Sequence, residues 1–122
     1  MKVAIPSFGL RVSPRLDCAP NLLLFTVENG KVVDCGEFSL THLDPWQRLE
    51  RLRELNIQAL ICGGIDGPSA QLLEAQQIRV IARVAGEAEE ALKCFLRGEL
   101  KSGSFLCPGC GGKRVRMRKG KF

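Results

Sequence analysis

The sequence predicts a three-layer α/β domain with a mixed sheet of about five strands, followed by a short cysteine-containing basic tail. Three observations favour this fold class. A hairpin signal lies in the first third of the chain, helix-like and strand-like segments then alternate, and the 122 residues are 45% hydrophobic and 25% charged, as in globular domains. An antiparallel hairpin followed by right-handed crossovers produces a mixed sheet.

The first third is predicted to be β-structure. Residues 2–5 form a short strand that the following proline ends, and residues 7–20 form a loop or an irregular hairpin because they contain a glycine and two prolines. Residues 21–28 are rich in leucine, phenylalanine, threonine and valine and predict a strand. The Asn29-Gly30 dipeptide favours a two-residue turn, so residues 31–40 return as the antiparallel partner.

The next part of the chain is predicted to alternate helices with buried parallel strands. Asp44 and Pro45 form a helix start, with the aspartate as N-cap. Short continuous apolar runs are typical of buried parallel strands. The predicted elements are a helix from residue 45 with Leu49, Leu52 and Leu55 on its apolar face, a strand at 57–61, a helix at 69–77, a strand at 78–81 and a helix at 86–97 ended by Gly98.

The domain is therefore expected to span residues 1–98, and residues 99–122 are expected to form a linker, a Cys-x-x-Cys motif and a basic tail. Residues 113–122 contain six Lys and Arg and no acid, so the rest of the chain has 12 basic and 13 acidic residues, a net charge of −1. Such a tail favours anionic partners, such as nucleic acid or an anionic metal cluster, or is a solvated chain end.

No apolar stretch approaches the roughly 20 residues that a membrane helix needs. No cationic leader precedes an apolar segment either. We therefore expect a cytoplasmic protein without a membrane partner.

Six cysteines are a high number for this length. A reducing compartment disfavours disulfides, which leaves metal binding, redox chemistry and burial. Cys107 and Cys110 enclose a Pro-Gly turn, and two thiolates at this spacing can hold one metal ion. A closed zinc site needs four ligands, so the others would come from Cys62, Cys35 or His42, from a second chain, or from the sulfides of an incoming cluster. A redox dithiol and a motif without chemistry are the alternatives.

A second candidate site follows the predicted strand at 57–61. Ligands of open α/β sheets bind outside the carboxyl ends of the strands, where Cys62 lies. The amides of Gly63, Gly64 and Ile65, with the helix that follows, can hold an anion. His42 lies in a predicted loop, and imidazole is a ligand for iron and zinc. In the alternative interpretation Cys62 packs as a small apolar residue and His42 is solvated.

Four other side chains are predicted to have mainly structural positions, apart from the possible ligand role of Cys35 given above. Cys18 is expected in a loop, Cys35 in the core or on a sheet face, and Cys94 off the apolar face of the third helix, partly exposed. Trp46, in the first turn of the first helix, is predicted to pack in the core or in a hydrophobic staple at the helix start, with covering a pocket as the alternative.

Five segments in a fixed order carry a family resemblance. They are MKVAIP at 1–6, VSPRLDCAP at 12–20, LICGGI at 60–65, IRVI at 78–81 and GEAEEAL at 86–92. Together they resemble the dinitrogenase iron-molybdenum cofactor biosynthesis family, which includes NifX-like carriers and the C-terminal domains of NifB. The resemblance covers residues 1 to about 100, and the ending FLCPGCGG at 105–112 is similar to one branch of that family.

The resemblance implies a ribonuclease-H-like fold and a non-enzymatic role. The cargo would be an iron-sulfur or molybdenum-containing cluster, exchanged with donor and acceptor proteins; zinc is the alternative metal. Catalysis by a nuclease of this fold needs carboxylates that converge on two metal ions, whereas Asp17, Asp34 and Asp66 are scattered along the chain. Two functions of other classes stay open: an interaction module with a nucleic-acid-binding tail, and a thiol redox protein that uses Cys107 and Cys110.

Overall fold

A computed structural model describes residues 1–98 and 100. Its strands are β1 (Lys2–Phe8), β2 (Arg11–Val12), β3 (Asn21–Glu28), β4 (Lys31–Ser39), β5 (Ala59–Ile61) and β6 (Arg79–Ile81). Its helices are α1 (Pro45–Glu54), α2 (Gly67–Ala75) and α3 (Ala88–Leu96), and a 3-10 turn covers Leu16–Cys18.

The sheet has the order β4-β3-β1-β5-β6, and the short β2 pairs with β1. The pairs β4–β3 and β3–β1 are antiparallel, whereas the pairs β1–β5 and β5–β6 are parallel. One hydrophobic core joins α1 and α2 to one face of the sheet, and a second joins α3 to the other. These three layers and this strand order confirm the predicted ribonuclease-H-like fold.

The predicted turns and caps form as expected. Asn29 and Gly30 both have positive φ, 54° and 76°, as a type I′ hairpin turn requires. At the start of α1, the Asp44 carboxylate accepts a hydrogen bond from the Gln47 N–H at 2.8 Å, and the Gln47 side chain accepts one from the Asp44 N–H at 2.9 Å. Gly98, with φ of 74°, follows α3.

Pro6 does not end the first strand, contrary to the prediction. β1 continues to Phe8, and Pro6 stays in register opposite Leu22 of β3. The parallel pairing with β5 covers only Val3 and Ala4. Pro6 therefore lies beyond the residues of β1 that pair with β5. The N–H that proline lacks is not required there for a hydrogen bond to β5.

The prediction of a partly exposed Cys94 was wrong, and so was that of a core position for Trp46. Cys94 is buried in the α3 core, and Trp46 is 60% exposed. Leu100, which follows α3, is buried in the same core as Cys94, so the buried surface of the helix is wider than its own apolar stripe. Trp46 lies in the first turn of α1 beside the buried Arg48 and Leu49, but faces outward.

The predicted boundary at residue 98 stays a prediction. Residues 99 and 101–122 lie outside the described part of the chain, and with them Cys107, Cys110 and the basic tail. Within the part that is described, no helix is both long and apolar enough to cross a bilayer.

Candidate functional site

A groove of about 620 Å³ lies at the carboxyl ends of β1, β5 and β6. This is the place where open α/β sheets bind their ligands. One wall comes from the β1–β2 hairpin and the segment after it, the opposite wall from residues 83–86 after β6, and Gly63 and Gly64 lie between them.

Backbone hydrogen bonds hold the walls of the groove together. After β6, the Arg83 N–H donates to the Gly63 carbonyl at 2.8 Å and the Val84 N–H to the Cys62 carbonyl at 3.0 Å. Across the groove, the Val12 N–H donates to the Gly86 carbonyl at 2.9 Å. The shape of the groove is therefore formed before any ligand arrives.

Gly63 and Gly64 serve close packing of the backbone. A Cβ at Gly63 would overlap the carbonyl oxygens of Ser13 and Pro14. The Gly64 N–H donates to the Pro14 carbonyl at 2.6 Å, and the Leu16 N–H donates to the Gly64 carbonyl at 2.9 Å. The two glycines thus let the loop after β2 lie directly against the loop after β5.

The groove combines apolar walls with two cations. Phe8, 65% exposed, stands on one wall, and Val84 belongs to the other. The exposed guanidinium groups of Arg11 and Arg83 also line it, and neither forms a salt bridge among the described residues. Arg15 differs, because its guanidinium is paired with the Asp17 carboxylate at 2.9 Å.

Cys62 lies beside the groove, but its side chain is directed into the core between the sheet and α1–α2. The side chain is fully buried, and this burial raises the pKa of the thiol to about 12. A thiol must lose its proton to bind a metal, so the environment opposes ligation. Cys62 has a packing role in this structure, and its role as a ligand stays a prediction.

His42 is exposed in the turn between β4 and α1 and does not line the groove. No group of three or more His, Cys, Asp or Glu side chains that could hold a metal ion occurs within residues 1–98 and 100. The structure therefore does not bring Cys62 and His42 into one metal centre with a third such ligand. The predicted ligands Cys107 and Cys110 lie outside the described residues.

The predicted anion loop at Gly63, Gly64 and Ile65 is already occupied in part. The Gly64 amide is used by the Pro14 carbonyl, and Ile65 packs against the α1–α2 core. The N-terminus of α2 is capped by Asp66, whose carboxylate accepts from the Ser69 N–H at 3.0 Å and the Ser69 hydroxyl at 2.7 Å. A carboxylate at this helix end repels an anion, so the two arginines of the groove are the better anion-binding groups.

Arg48 was missed by the sequence analysis, although it organises the neighbouring loop. It is 6% exposed, and its guanidinium donates to the carbonyls of Leu16 at 2.8 Å, Ala19 at 2.6 Å and Leu40 at 3.0 Å. These bonds join α1 to the segment that precedes β3 and to Leu40, which follows β4. From the sequence, an arginine next to the apolar face of α1 is expected to be solvated. Nothing in the sequence indicated that Arg48 would be buried.

Cys18 and Cys35 are both exposed. Cys18 ends the 3-10 turn, as expected for a loop residue. Cys35 lies in the middle of β4, on the sheet face that α3 covers elsewhere. Its exposure excludes the core and agrees with the predicted position on a sheet face.

Comparison with known families identifies the chain. Residues 1–98 match the family described as dinitrogenase iron-molybdenum cofactor. The chain belongs to this family. No curated protein sequence matches it significantly.

Several solved structures resemble this member of the dinitrogenase iron-molybdenum cofactor family. The crystal structure of PH0822 has a TM-score of 0.77 at 19% identity and covers 84% of this chain and 94% of its own. The apo form of the orange protein from Desulfovibrio gigas has a TM-score of 0.68 at 20% identity, covering 83% and 91%. A Thermotoga protein provisionally named NifB has a TM-score of 0.62 at 24% identity, covering 88% and 98%. These identities establish the fold alone.

Proposed function

We propose that this family member binds and carries an iron-sulfur or molybdenum-containing cluster without catalysing a reaction. The cluster would be cargo, taken from a donor protein and passed to an acceptor protein in the cytoplasm. The observation that carries the proposal is the preformed groove at the carboxyl end of the sheet, where Arg11 and Arg83 stand on apolar walls and form no salt bridge with the acids of residues 1–98.

The chemistry of the groove suits such a cargo. Sulfide-containing clusters have a net negative charge and a soft surface that hydrogen-bonds weakly. A guanidinium carries a permanent positive charge and five N–H donors, so two of them can hold an anion from opposite walls. Apolar side chains such as Phe8 and Val84 reduce contact with water and strengthen those charge interactions.

Cys107 and Cys110 are the proposed thiolate ligands that capture the cluster. Their spacing allows both sulfur atoms to reach one metal ion. The basic residues that follow would draw an anionic cluster or its donor toward them. Cys62 and His42 stay predicted ligands, but Cys107 and Cys110 are preferred to them. Cys62 is buried as a protonated thiol, and His42 lies away from the groove.

The groove is tested with tetrathiomolybdate, a defined anion of molybdenum and sulfide, in an anaerobic titration followed by visible absorption. The double variant Arg11→Gln and Arg83→Gln should bind about tenfold more weakly, since each lost charge contact contributes roughly 0.7 kcal/mol. The control is Arg51→Gln with Arg53→Gln, which removes the same charge from a half-buried and an exposed position on the last turns of α1, away from the groove. Equal affinities of the two double variants would exclude the groove as the site.

Metal analysis after anaerobic purification tests the class of function. Iron with sulfide, or molybdenum, in near-stoichiometric amounts would support a carrier, and Cys107→Ser with Cys110→Ser should then lower the bound metal. Zinc alone would indicate a structural site. If no metal binds even after reconstitution with iron and sulfide, the carrier is excluded, and nucleic-acid binding that weakens steeply with salt would establish the interaction module.

A further inference from the structure

The strand β4 forms one edge of the sheet. It pairs with β3 on one side, and no strand in the described part of the chain lies on its other side. The register of the ladder shifts at Val33, which has no partner in β3, so the regular part of this edge runs from Asp34 to Ser39. We call this part the β4 edge. A free edge presents backbone N–H and carbonyl groups that can bond to another extended chain.

The hydrogen-bond pattern shows which groups of the β4 edge are available. The Leu40 N–H donates to the Pro20 carbonyl at 2.9 Å, so these two residues occupy a hydrogen-bonded position at the end of the β3–β4 ladder. Antiparallel ladders alternate between hydrogen-bonded and non-hydrogen-bonded pairs. The N–H and carbonyl groups of Cys35, Glu37 and Ser39 therefore point away from β3, toward the free side of the edge.

A cavity of about 170 Å³ opens beside the β4 edge, on the side of the sheet that α3 covers. Cys35 borders the cavity, and its β3 partner Phe25 lines it together with Leu23. Leu10, 77% exposed, adds a further apolar wall. A cavity of about 150 Å³ holds one benzene molecule, whereas drug-sized ligands occupy pockets of about 300 Å³ or more. The cavity therefore has room for a single side chain.

The rim of this cavity is acidic. Glu87 and Glu89, at the start of α3, line it, and the described residues of its lining include no Lys or Arg. Burial, and then the carboxylates of Asp34, Glu37 and Glu89, raise the pKa of the Cys35 thiol, which places these three acids close to the sulfur. None of the four acids forms a salt bridge within residues 1–98 and 100. A side chain with an apolar stem and a cationic end matches such a cavity.

The same charges argue against a second copy of the chain as the occupant. Residues 34–39 contain two acids and no Lys or Arg. Antiparallel pairing of two β4 edges would thus bring the carboxylates of both copies together without a cation between them, and like charges on facing strands are destabilising. The charge of the edge instead complements a basic segment.

We propose that the β4 edge docks an extended basic segment of a partner protein, which adds a strand to the sheet and places one Arg or Lys side chain in the cavity beside Cys35. In this mode of recognition, main-chain hydrogen bonds supply affinity and a side-chain pocket supplies specificity. A residue opposite Cys35 has its Cβ about 5 Å from that of Cys35, on the same side of the sheet, so a long side chain reaches the cavity. The docking does not depend on cluster carriage, and the cavity shares no lining residue with the groove.

Hydrogen exchange of the full chain tests the added strand. The probe is the peptide acetyl-Thr-Arg-Val-Arg-Val-Arg-Thr-amide, whose arginines can lie opposite Ser39, Glu37 and Cys35. At a peptide concentration ten times the measured Kd, amide exchange followed by NMR should slow about tenfold at these three residues. Exchange at Gly36 and Phe38 should stay unchanged, because their N–H groups already bond to β3. Lack of binding, or equal effects on both sets of amides, overturns the proposal.

N-methylation of the peptide separates strand pairing from simple attraction between charges. Methyl groups on the N atoms of the second and third arginines remove two N–H donors that face β4, and the peptide should bind about tenfold more weakly. Methyl groups on the two valines, whose N–H groups face away, should change the affinity by less than about twofold. Equal affinities of the two methylated peptides would mean that no strand is added.

The cavity is tested by shortening one peptide side chain at a time. Replacing the arginine opposite Cys35 by Ser should weaken binding at least as much as about fivefold, whereas the same change opposite Ser39, away from the cavity, should cost about twofold or less. Equal losses at the two positions would exclude the cavity as the specificity pocket.

The acids are tested in the protein. Glu37→Gln with Glu89→Gln should weaken binding of the unmodified peptide about tenfold. Glu54→Gln with Glu74→Gln is the matched control, since it removes two exposed carboxylates from α1 and α2 on the opposite side of the sheet. If the two double variants bind the peptide equally, the acidic rim does not select the partner.

Two other occupants of the β4 edge would overturn the proposal. One is a second copy, shown by a dimer in sedimentation whose amides at residues 35–39 become protected as the protein concentration rises. The other is the chain's own segment 101–122, shown by cross-strand contacts to residues 35–39 in the free monomer. Failure of any of these tests is separate from a failure of cluster carriage, which is measured by tetrathiomolybdate and the two groove arginines.

Discussion

The two ends of the parallel strands both carry a depression, but the two are built differently. At the carboxyl end, the groove is formed by backbone segments bonded to one another, with apolar walls and two arginines that form no salt bridge in the part of the chain that the structure describes. At the amino end, a depression of about 520 Å³ is lined mainly by polar side chains of both charge signs, including Glu50, Arg53 and Glu54. Arg53 and Glu50 neutralise each other there at 2.8 Å.

This difference shows which end can select a ligand. Exposed ion pairs in water contribute little and rearrange easily, so the amino-end depression is ordinary solvated surface. Walls fixed by backbone hydrogen bonds hold their shape, and unpaired cations on apolar walls attract an anion. Volume alone, about 520 against about 620 Å³, does not separate the two depressions.

The largest expected effect comes from the tight contact at the carboxyl end. Gly63→Ala should lower the free energy of unfolding by about 3 kcal/mol, because the new methyl group meets two backbone carbonyl oxygens that cannot move independently. Gly67→Ala is the control, since a Cβ there has no atom within 4 Å. Urea denaturation followed by circular dichroism measures both. Equal stabilities would mean that the loop after β2 is not fixed against the loop after β5.

A smaller effect is expected from two arginines on the same helix. Arg48→Met should cost about 2 kcal/mol, because it removes the guanidinium donor from the carbonyls of Leu16, Ala19 and Leu40, of which Leu16 and Leu40 keep one backbone donor each. Arg53→Met, at the amino end, removes only an exposed ion pair and should cost less than about 0.5 kcal/mol. The same urea titration compares them. Similar losses of stability in the two variants would contradict the view that the side chains near the carboxyl end are held more firmly than those at the amino end.

The smallest effect is a pH dependence from Cys62. Its folded pKa is raised from 9.0 to about 12, so the folded state keeps a proton that the unfolded state loses. Stability is therefore full below pH 9 and falls as the pH rises toward 12, by about 1 kcal/mol between pH 9 and 10. Cys62→Ala should remove this fall while shifting the whole curve by a constant cavity term. Unfolding measured from pH 8 to 10 compares the slopes, and an unchanged slope would show that Cys62 is not buried as a neutral thiol.

The fold could be predicted because its signals are local. The Asn29-Gly30 turn, the Asp44-Pro45 helix start and the apolar run before Cys62 each determine a short segment, and right-handed crossovers then restrict the topology. The strand through Pro6 could not be predicted, because it depends on where β5 stops pairing. Cys94 could not either, since Leu100 returns to cover that side of α3.

The site was predicted in place but not in composition. The position of a binding groove at the carboxyl end of the sheet was predicted from the topology, and Gly63 and Gly64 do line the groove there. Arg11 could be named from the sequence as a possible anion-binding residue, but the contribution of Arg83 depends on which loops meet after β2 and β6, and the buried position of Arg48 depends on three carbonyls distant in sequence. Such residues become visible only when segments far apart in the chain are brought together.

The backbone bonds between the groove walls have a consequence for how such a protein can diverge. Because N–H and carbonyl groups are the same at almost every residue, the bonds from Arg83, Val84 and Val12 would persist if those side chains were exchanged. Gly63 and Gly64 are required for their size, and Gly86 for its positive φ of 124°. The shape of the groove is thus separable from its lining, and proteins with this fold can acquire a different ligand specificity by changing a few wall residues while the sheet and its loops keep their places.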